Sequence, residues 1–205
     1  MEEILKLVKV SKYIGGREVL KNVTFVMRRG DRVNIYGPRN SGKSILLKCI
    51  LDLIVRDGGT IEVFGLDPLN NRSKILRYIG YIPQNIEIQG EAEMPTMLDL
   101  IHSLYGEDLM LLEELGLLGI MEKKRNEPYI GLRLYVYQAI VKDSEIILVD
   151  DIGSKMDGKS IYILKRYMDR KNASVITTSR EPSNILGETR FYYIEDGRLF
   201  ESPVM

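Results

Sequence analysis

Cysteine and histidine are nearly absent. One cysteine, Cys49, excludes an internal disulfide and a cysteine-built metal cluster. One histidine, His102, excludes a multi-histidine metal centre and leaves a serine–histidine catalytic pair without support; it is expected on a helix surface. Tryptophan is missing altogether. There is no excess of either charge: Lys plus Arg and Asp plus Glu each total 29. Such a chain has no global field to draw it to DNA, RNA or an acidic lipid surface, so no nucleic-acid partner is expected. No apolar run approaches the ~20 residues that a membrane-spanning helix needs. The opening MEEILKLVKV carries early acids and reads as a strand, not a secretory signal. The expectation is a cytoplasmic chain that reaches a membrane only through a partner. Internal repeats and low-complexity tracts are lacking too.

What is present is ordinary globular material: 205 residues, 44% hydrophobic and 28% charged, enough for one domain with a packed core. The pattern alternates between strands and helices. Ile4 to Val10 and Val23 to Met27 alternate at period two about a Gly15-Gly16 turn, and Arg32 to Tyr36 follows Gly30-Asp31. From Ser44 the period becomes helical, with Ile45, Leu46, Leu47, Ile50, Leu51, Leu53 and Ile54 on one broad face. TIEVFG returns as a strand. Further helices are predicted over 74–79, over 97–124 with breaks near Gly106 and Gly116, over 132–142 and over 159–169. EIILVDD and SVITTS read as buried strands, and RFYYIEDGRLFES as a hairpin turning at Asp196-Gly197. This is an α/β pattern with a mostly parallel central sheet.

Residues 37–44 read Gly37-Pro38-Arg39-Asn40-Ser41-Gly42-Lys43-Ser44, which fits G-x-x-x-x-G-K-[ST], the P-loop. The spacing has a physical reason. Glycines let the backbone curl so that its amides face phosphate oxygens, and the following helix adds the positive end of its dipole. Lys43 supplies a cation for the β- and γ-phosphates, and Ser44 a hydroxyl for Mg²⁺. The isolated pattern arises by chance in unrelated chains. Here it follows the apolar strand VNIY and opens an amphipathic helix, which is the context it requires. Asp150, at the end of Ile146-Ile147-Leu148-Val149, is the matching acid that holds Mg²⁺ through water; its plainer reading is a strand-end acid capping the next turn. ATP and Mg²⁺ are the expected ligands.

The stretches around these motifs narrow the class. VSKYIGGREVLKNVTFVMRRGDRVNIYGPRNSGKSILLKCI, GGTIEVFGLDP, ILRYIGYIPQ and VKDSEIILVDDIGSKMD together resemble an ABC (ATP-binding cassette) transporter ATPase over nearly the whole chain. The resemblance implies a P-loop NTPase core with an N-terminal antiparallel β subdomain and a short helical subdomain inserted at about 85–140, all in one domain, 1–205. It implies that Tyr13 stacks on adenine and that Gln84 is the Q-loop glutamine contacting Mg²⁺ and the attacking water. It implies that Asp157 is the D-loop aspartate. The plainer alternatives are a strand tyrosine and a turn glutamine after Pro83.

The likeness also implies three departures. Counting back from Asp150, Asn126-Glu127-Pro128-Tyr129-Ile130 stands where the family carries Leu-Ser-Gly-Gly-Gln. Pro128 has no N–H to give a phosphate and Glu127 brings a like charge. Asp151 stands in place of the catalytic glutamate, one methylene shorter. Ser179 stands in place of the switch histidine and can donate one hydrogen bond but carries no positive charge. Very slow hydrolysis is expected from a homodimer; a heterodimer with a complete ABC ATPase would place different lesions in its two sites. The leading expectation is a transporter's ATP-binding subunit, working with an integral membrane subunit. The alternatives are a non-hydrolysing ATP-binding clamp and a soluble ABC protein of DNA repair or translation.

Overall fold

The computed structural model describes residues 2–84, 93–118, 129–151 and 156–203. Two long strands open the chain, β1 (Glu3–Ile14) and β2 (Arg17–Arg28), antiparallel and joined at Gly15-Gly16. Both glycines have positive φ, 56° and 78°, which a two-residue hairpin turn requires and which glycine adopts without steric cost. They are followed by β3 (Arg32–Tyr36), α1 (Lys43–Ile50), β4 (Gly58–Val63), α2 (Pro68–Ile75), β5 (Ile79–Ile82), α3 (Glu93–Tyr105), α4 (Leu109–Leu115), α5 (Ile130–Val141), β6 (Ile146–Val149), α6 (Gly158–Lys171), β7 (Ser174–Ser179), β8 (Arg190–Glu195) and β9 (Arg198–Ser202).

The strands form two sheets. One is antiparallel, in the order β2-β1-β4; the other runs β5-β6-β7-β3-β8-β9 and is parallel except for β9. The β8–β9 turn is Asp196-Gly197, both at positive φ. Two hydrophobic clusters clasp the larger sheet. Ile146 and Leu148 of β6 belong to the first, with β1, β2, β4 and α1. Ile147 and Val149 belong to the second, with α3, α4, α5 and α6. A strand buried on both faces must read as an unbroken apolar run, and IILV does. Helix α5 is buried on most sides because it lies between the sheet and the shorter helices; Leu134, Val136, Tyr137 and Ala139 are all within 1% of full burial.

Three expectations shift. The helix after the P-loop stops at Ile50 instead of carrying its apolar face to Ile54. The amides of Leu53 and Ile54 turn back to the Lys48 carbonyl, and Asp52 takes φ 52°. The helix predicted over 74–79 ends at Ile75. It begins at Pro68, because Asp67 caps it by accepting from the Leu69 amide and proline suits the first turn. Ile79 instead opens β5, the edge strand of the large sheet. His102 is also less superficial than expected: its ring meets Tyr137 edge-on at 5.8 Å and its Nε2 is buried. Among the described residues, no helix is long and apolar enough to cross a membrane.

Candidate functional site

The parallel strands β5, β6, β7 and β3 lie side by side, so their carboxyl ends line one edge of the sheet. Ligands of open α/β sheets bind at such an edge. This places Gln84 after β5, Asp150 and Asp151 after β6, Arg180 after β7 and the P-loop after β3, around one cleft of about 560 Å³. Residues far apart in sequence become neighbours through strand order alone.

The P-loop is shaped by close approach. A Cβ on Gly37 would lie 2.1 Å from the Ile194 carbonyl oxygen, and one on Gly42, at φ 108°, would lie 2.7 Å from that of Val19. Asn40 adopts φ 62°, a conformation asparagine tolerates better than most residues. The terminal hairpin braces the loop, the Gly197 amide donating to Ser41 O at 3.2 Å. Lys43 Nζ folds back into the loop and donates to Gly37 O at 2.7 Å, Pro38 O at 2.6 Å and Ser41 Oγ at 3.2 Å. Burial lowers the Lys43 pKa, and the nearby Asp151 and Asp150 charges oppose the shift.

Behind the lysine lies a set of hard oxygens. Asp150, only 5% exposed, accepts from Ser44 Oγ at 3.0 Å and from Thr178 Oγ1 at 2.8 Å, both through Oδ1. Thr178 Oγ1 in turn accepts from the Asp151 amide at 2.8 Å. The Asp151 side chain is held by Gln84, whose Nε2 donates to Oδ2 at 2.7 Å. Among the described residues no three His, Cys, Asp or Glu side chains group as an all-protein metal cage. One serine hydroxyl, one carboxylate and one amide oxygen fit Mg²⁺ instead, which keeps several waters and shares its ligands with phosphate.

The site residues expected from sequence do not all meet here. Arg39, Asn40, Ser41, Gly42, Lys43, Ser44, Gln84, Asp150 and Asp151 line the cleft. Gly37 and Pro38 hold the lysine through their carbonyls. Tyr13 is 51% exposed on β1 and is not among the cleft-lining residues; its amide donates to Asp57 Oδ2 at 2.6 Å. Asp157 stands apart as the cap of α6, accepting from the Lys159 and Ser160 amides, from Ser160 Oγ at 2.8 Å and from Arg133 Nε at 3.4 Å. Burial resists ionisation there, and these donors outweigh it to hold the carboxyl below its ordinary value. Asn126, Glu127 and Pro128 lie outside the described residues. Tyr129 caps α5 at φ 73°.

Ser179 is not among the cleft-lining residues: it is 3% exposed, and its hydroxyl donates to the Glu181 carbonyl at 2.6 Å and accepts from Asn34 Nδ2 at 3.0 Å. The pleat is the reason. Side chains alternate along β7, so Thr177 and Ser179 share one face and Thr178 points to the other, while Arg180, just past the strand, lines the cleft. Thr177 and Ser179 both meet Asn34, while Thr178 reaches Asp150. Thr178, bonded to Asp150, and Arg180, which lines the cleft, are the residues here that sequence reasoning missed. The available signal was the alternation within ITTSR, read from the strand's end.

The inward face of β7 is a buried polar chain ending at Glu188, which accepts from Thr177 Oγ1 at 2.7 Å and from the Leu186 amide at 2.8 Å. Burial raises the Glu188 pKa above its ordinary 4.5 despite those donors. A carboxyl raised on folding binds more protons in the native than in the unfolded chain, so stability falls as pH climbs from about 4.5 through the native value. Relative to Glu188→Gln, the natural protein should therefore lose stability between pH 5 and pH 8. Urea midpoints of both proteins across that range test it; a constant difference would refute the burial argument.

A family model described as ABC transporter matches residues 20–153. Among curated relatives, a probable metal transport system ATP-binding protein of Thermotoga maritima is 27% identical over 204 residues, covering 91% of this chain and 78% of its own length. The zinc import ATP-binding protein ZnuC of Pseudomonas savastanoi is 25% identical, covering 92% of this chain and 71% of its own. Among solved structures, an ATP-binding subunit of an ABC transporter aligns with TM-score 0.83 at 20% identity, over 97% of this chain and 89% of the other. A dimeric ATP-binding cassette in a post-hydrolysis state, bound to ADP and Pi, aligns with TM-score 0.76 at 26% identity, over 98% and 99%.

Proposed function

Because the chain belongs to the ABC transporter family as an ATP-binding subunit, we propose that it binds Mg-ATP in the cleft around Lys43 and couples ATP-driven dimer closure to a separate membrane subunit. The observation that carries this reading is the hydrogen bond from Ser44 Oγ to Asp150, which joins the end of the P-loop to the acid of β6. In this reading Lys43 leaves the loop carbonyls and turns to the β- and γ-phosphates. Ser44, Asp150 and Gln84 hold Mg²⁺, which when bound neutralises charge on the phosphates. The protein sits in the cytoplasm, on the inner face of its membrane partner, as a homodimer or paired with a second ABC ATPase.

Hydrolysis is slow in this proposal. Asp151 is the side chain placed to orient water, yet Gln84 already engages its Oδ2. Its reach is shorter than a glutamate's, and a displacement of about 1 Å costs on the order of a hundredfold in rate. The stretch at 126–130 lacks the residues with which the family's partner subunit clasps the γ-phosphate. Binding energy, not chemical speed, then drives closure. The same two features favour a second reading, a clamp that binds ATP and does not turn it over.

Phosphate release separates the two. The purified chain alone should release phosphate at close to background. Addition of a membrane protein that co-purifies with it, or of a complete ABC ATPase, should raise the rate at least tenfold under the transporter reading. A rate that stays at background with every such partner, while ATP remains bound, would leave the clamp.

A further inference from the structure

The hydroxyl of Thr178 serves both acids at once. Thr178 is fully buried on β7, which lies between β6 and β3, and it sits beside Ile35 on the strand that leads into the P-loop. Its Oγ1 donates to Asp150 Oδ1 at 2.8 Å and accepts from the Asp151 amide at 2.8 Å. The first bond concerns the oxygens of Asp150. Ser44 Oγ also donates to Oδ1, at 3.0 Å, so both hydroxyls fall on one oxygen, and Oδ2 accepts no hydrogen bond among the described residues. The second bond concerns the backbone. The Asp150 amide still donates to the Ile82 carbonyl of β5 at 2.9 Å, but Asp151 turns out of the sheet at φ 56°. A left-handed conformation is uncommon for a residue with a side chain and persists where surrounding bonds fix it. Thr178 supplies such a bond to the Asp151 backbone, and Gln84 holds the Asp151 carboxylate at 2.7 Å.

We propose that Thr178 is a positioning residue for the metal site: it turns Asp150 so that Oδ2 is the oxygen offered to Mg²⁺ or its water, and it sets the turn that brings Asp151 to the cleft. The inference rests on the Mg-ATP reading above and deepens it by naming the group behind the acids. Thr178 is not among the cleft-lining residues, so it acts through Asp150 and Asp151 and touches neither nucleotide nor metal. Groups behind a metal's ligands fix their orientation, and their loss ordinarily lowers metal affinity by about tenfold to a hundredfold. A hydroxyl is needed because one atom must donate to a carboxylate and accept from an amide. Valine has the same shape and loses both bonds together; serine keeps both.

The test reads binding and backbone order in the whole chain, not turnover. Calorimetric titrations with ATP, in Mg²⁺ and in EDTA, compare the natural protein, Thr178→Val and Thr178→Ser, with Thr178→Ala in place of valine should that variant not fold. In Thr178→Val the affinity in EDTA should stay within about twofold, because the P-loop is untouched, while the affinity in Mg²⁺ should fall by about tenfold or more. Thr178→Ser should return the affinity in Mg²⁺ to within about threefold of the natural value. Without metal or nucleotide, amide exchange at Asp151 should quicken by about tenfold or more in Thr178→Val and not in Thr178→Ser. An undiminished Mg²⁺ gain in Thr178→Val, an equal loss with and without the metal, or a serine variant no better than valine would overturn the assignment while leaving Mg-ATP binding intact. A natural protein that binds ATP no better in Mg²⁺ than in EDTA, or not at all, would overturn both.

Discussion

Lys43→Ala is expected to lower the affinity for Mg-ATP by about a hundredfold. The ammonium now has three acceptors, Gly37 O, Pro38 O and Ser41 Oγ, between 2.6 and 3.2 Å away. Phosphate oxygens replace those carbonyls as stronger, charged acceptors. Hydrogen bonds to charged groups contribute about 1.5–3 kcal/mol each, and about 2.7 kcal/mol is a hundredfold in affinity. Loss of two such contacts reaches that figure even if water recovers part. The fold should persist, because the loop remains held by the Gly37 amide on the Ser179 carbonyl and by the Gly197 amide on the Ser41 carbonyl. A pH effect accompanies this. Burial holds the ammonium below its ordinary 10.5, so ATP affinity in the natural protein should start to fall at a lower alkaline pH than a free lysine would dictate. Equal ATP binding by natural and substituted proteins would place the nucleotide elsewhere.

The second large effect concerns the metal. Asp150→Asn should abolish the gain in ATP affinity that Mg²⁺ brings, expected at about thirtyfold in the natural protein for about 2 kcal/mol of charge-assisted ligation. The substitution is chosen for its shape. An asparagine Oδ1 can still accept from Ser44 Oγ and Thr178 Oγ1, so the two strands stay joined. Only the charge and one oxygen are lost. Titrations in Mg²⁺ and in EDTA read the effect directly: the two curves should separate for the natural protein and coincide for the variant. A variant that keeps the full Mg²⁺ gain would show that Asp150 merely caps a turn, the plainer reading its position allows.

How much of this was legible depends on how local each feature is. The P-loop was readable because its glycines, lysine and serine act within eight residues, and because the strand before it and the helix after it carry their own periodicity. The acid at Asp150 was readable for a similar reason: a four-residue apolar run on a strand buried on both faces ends in charge. Helix α2 starts at a local signal, Asp67-Pro68, that precedes the apolar pattern over 74–79. The end of α1 was misjudged because Leu53 and Ile54 continue the apolar face in sequence, while the backbone has already turned back on Lys48.

Side-chain direction was not legible in the same way. Ser179 and Arg180 are adjacent, and a register difference of one residue reverses the face each presents. Composition does not favour either. The choice is made by partners from distant segments: Asn34 on β3 holds Thr177 and Ser179 inside the sheet, and Asp150, just after β6, holds Thr178 on the cleft side. Asp157 illustrates the same limit, since it matches a motif position yet its carboxylate meets its hydrogen-bond partners outside the cleft.

The amino-acid order thus determined, unaided, that a phosphate-binding loop follows a buried strand and that a parallel sheet brings an acid to it. Short-range spacing and apolar periodicity suffice for that. Which of two neighbouring residues faces the cleft, and how Gln84, Asp151 and Thr178 interlock, was decided only when β5, β6, β7 and β3 lay side by side. The physical reason is that those contacts join residues far apart in the chain. Their energies depend on strand order and pleat, which no local pattern encodes.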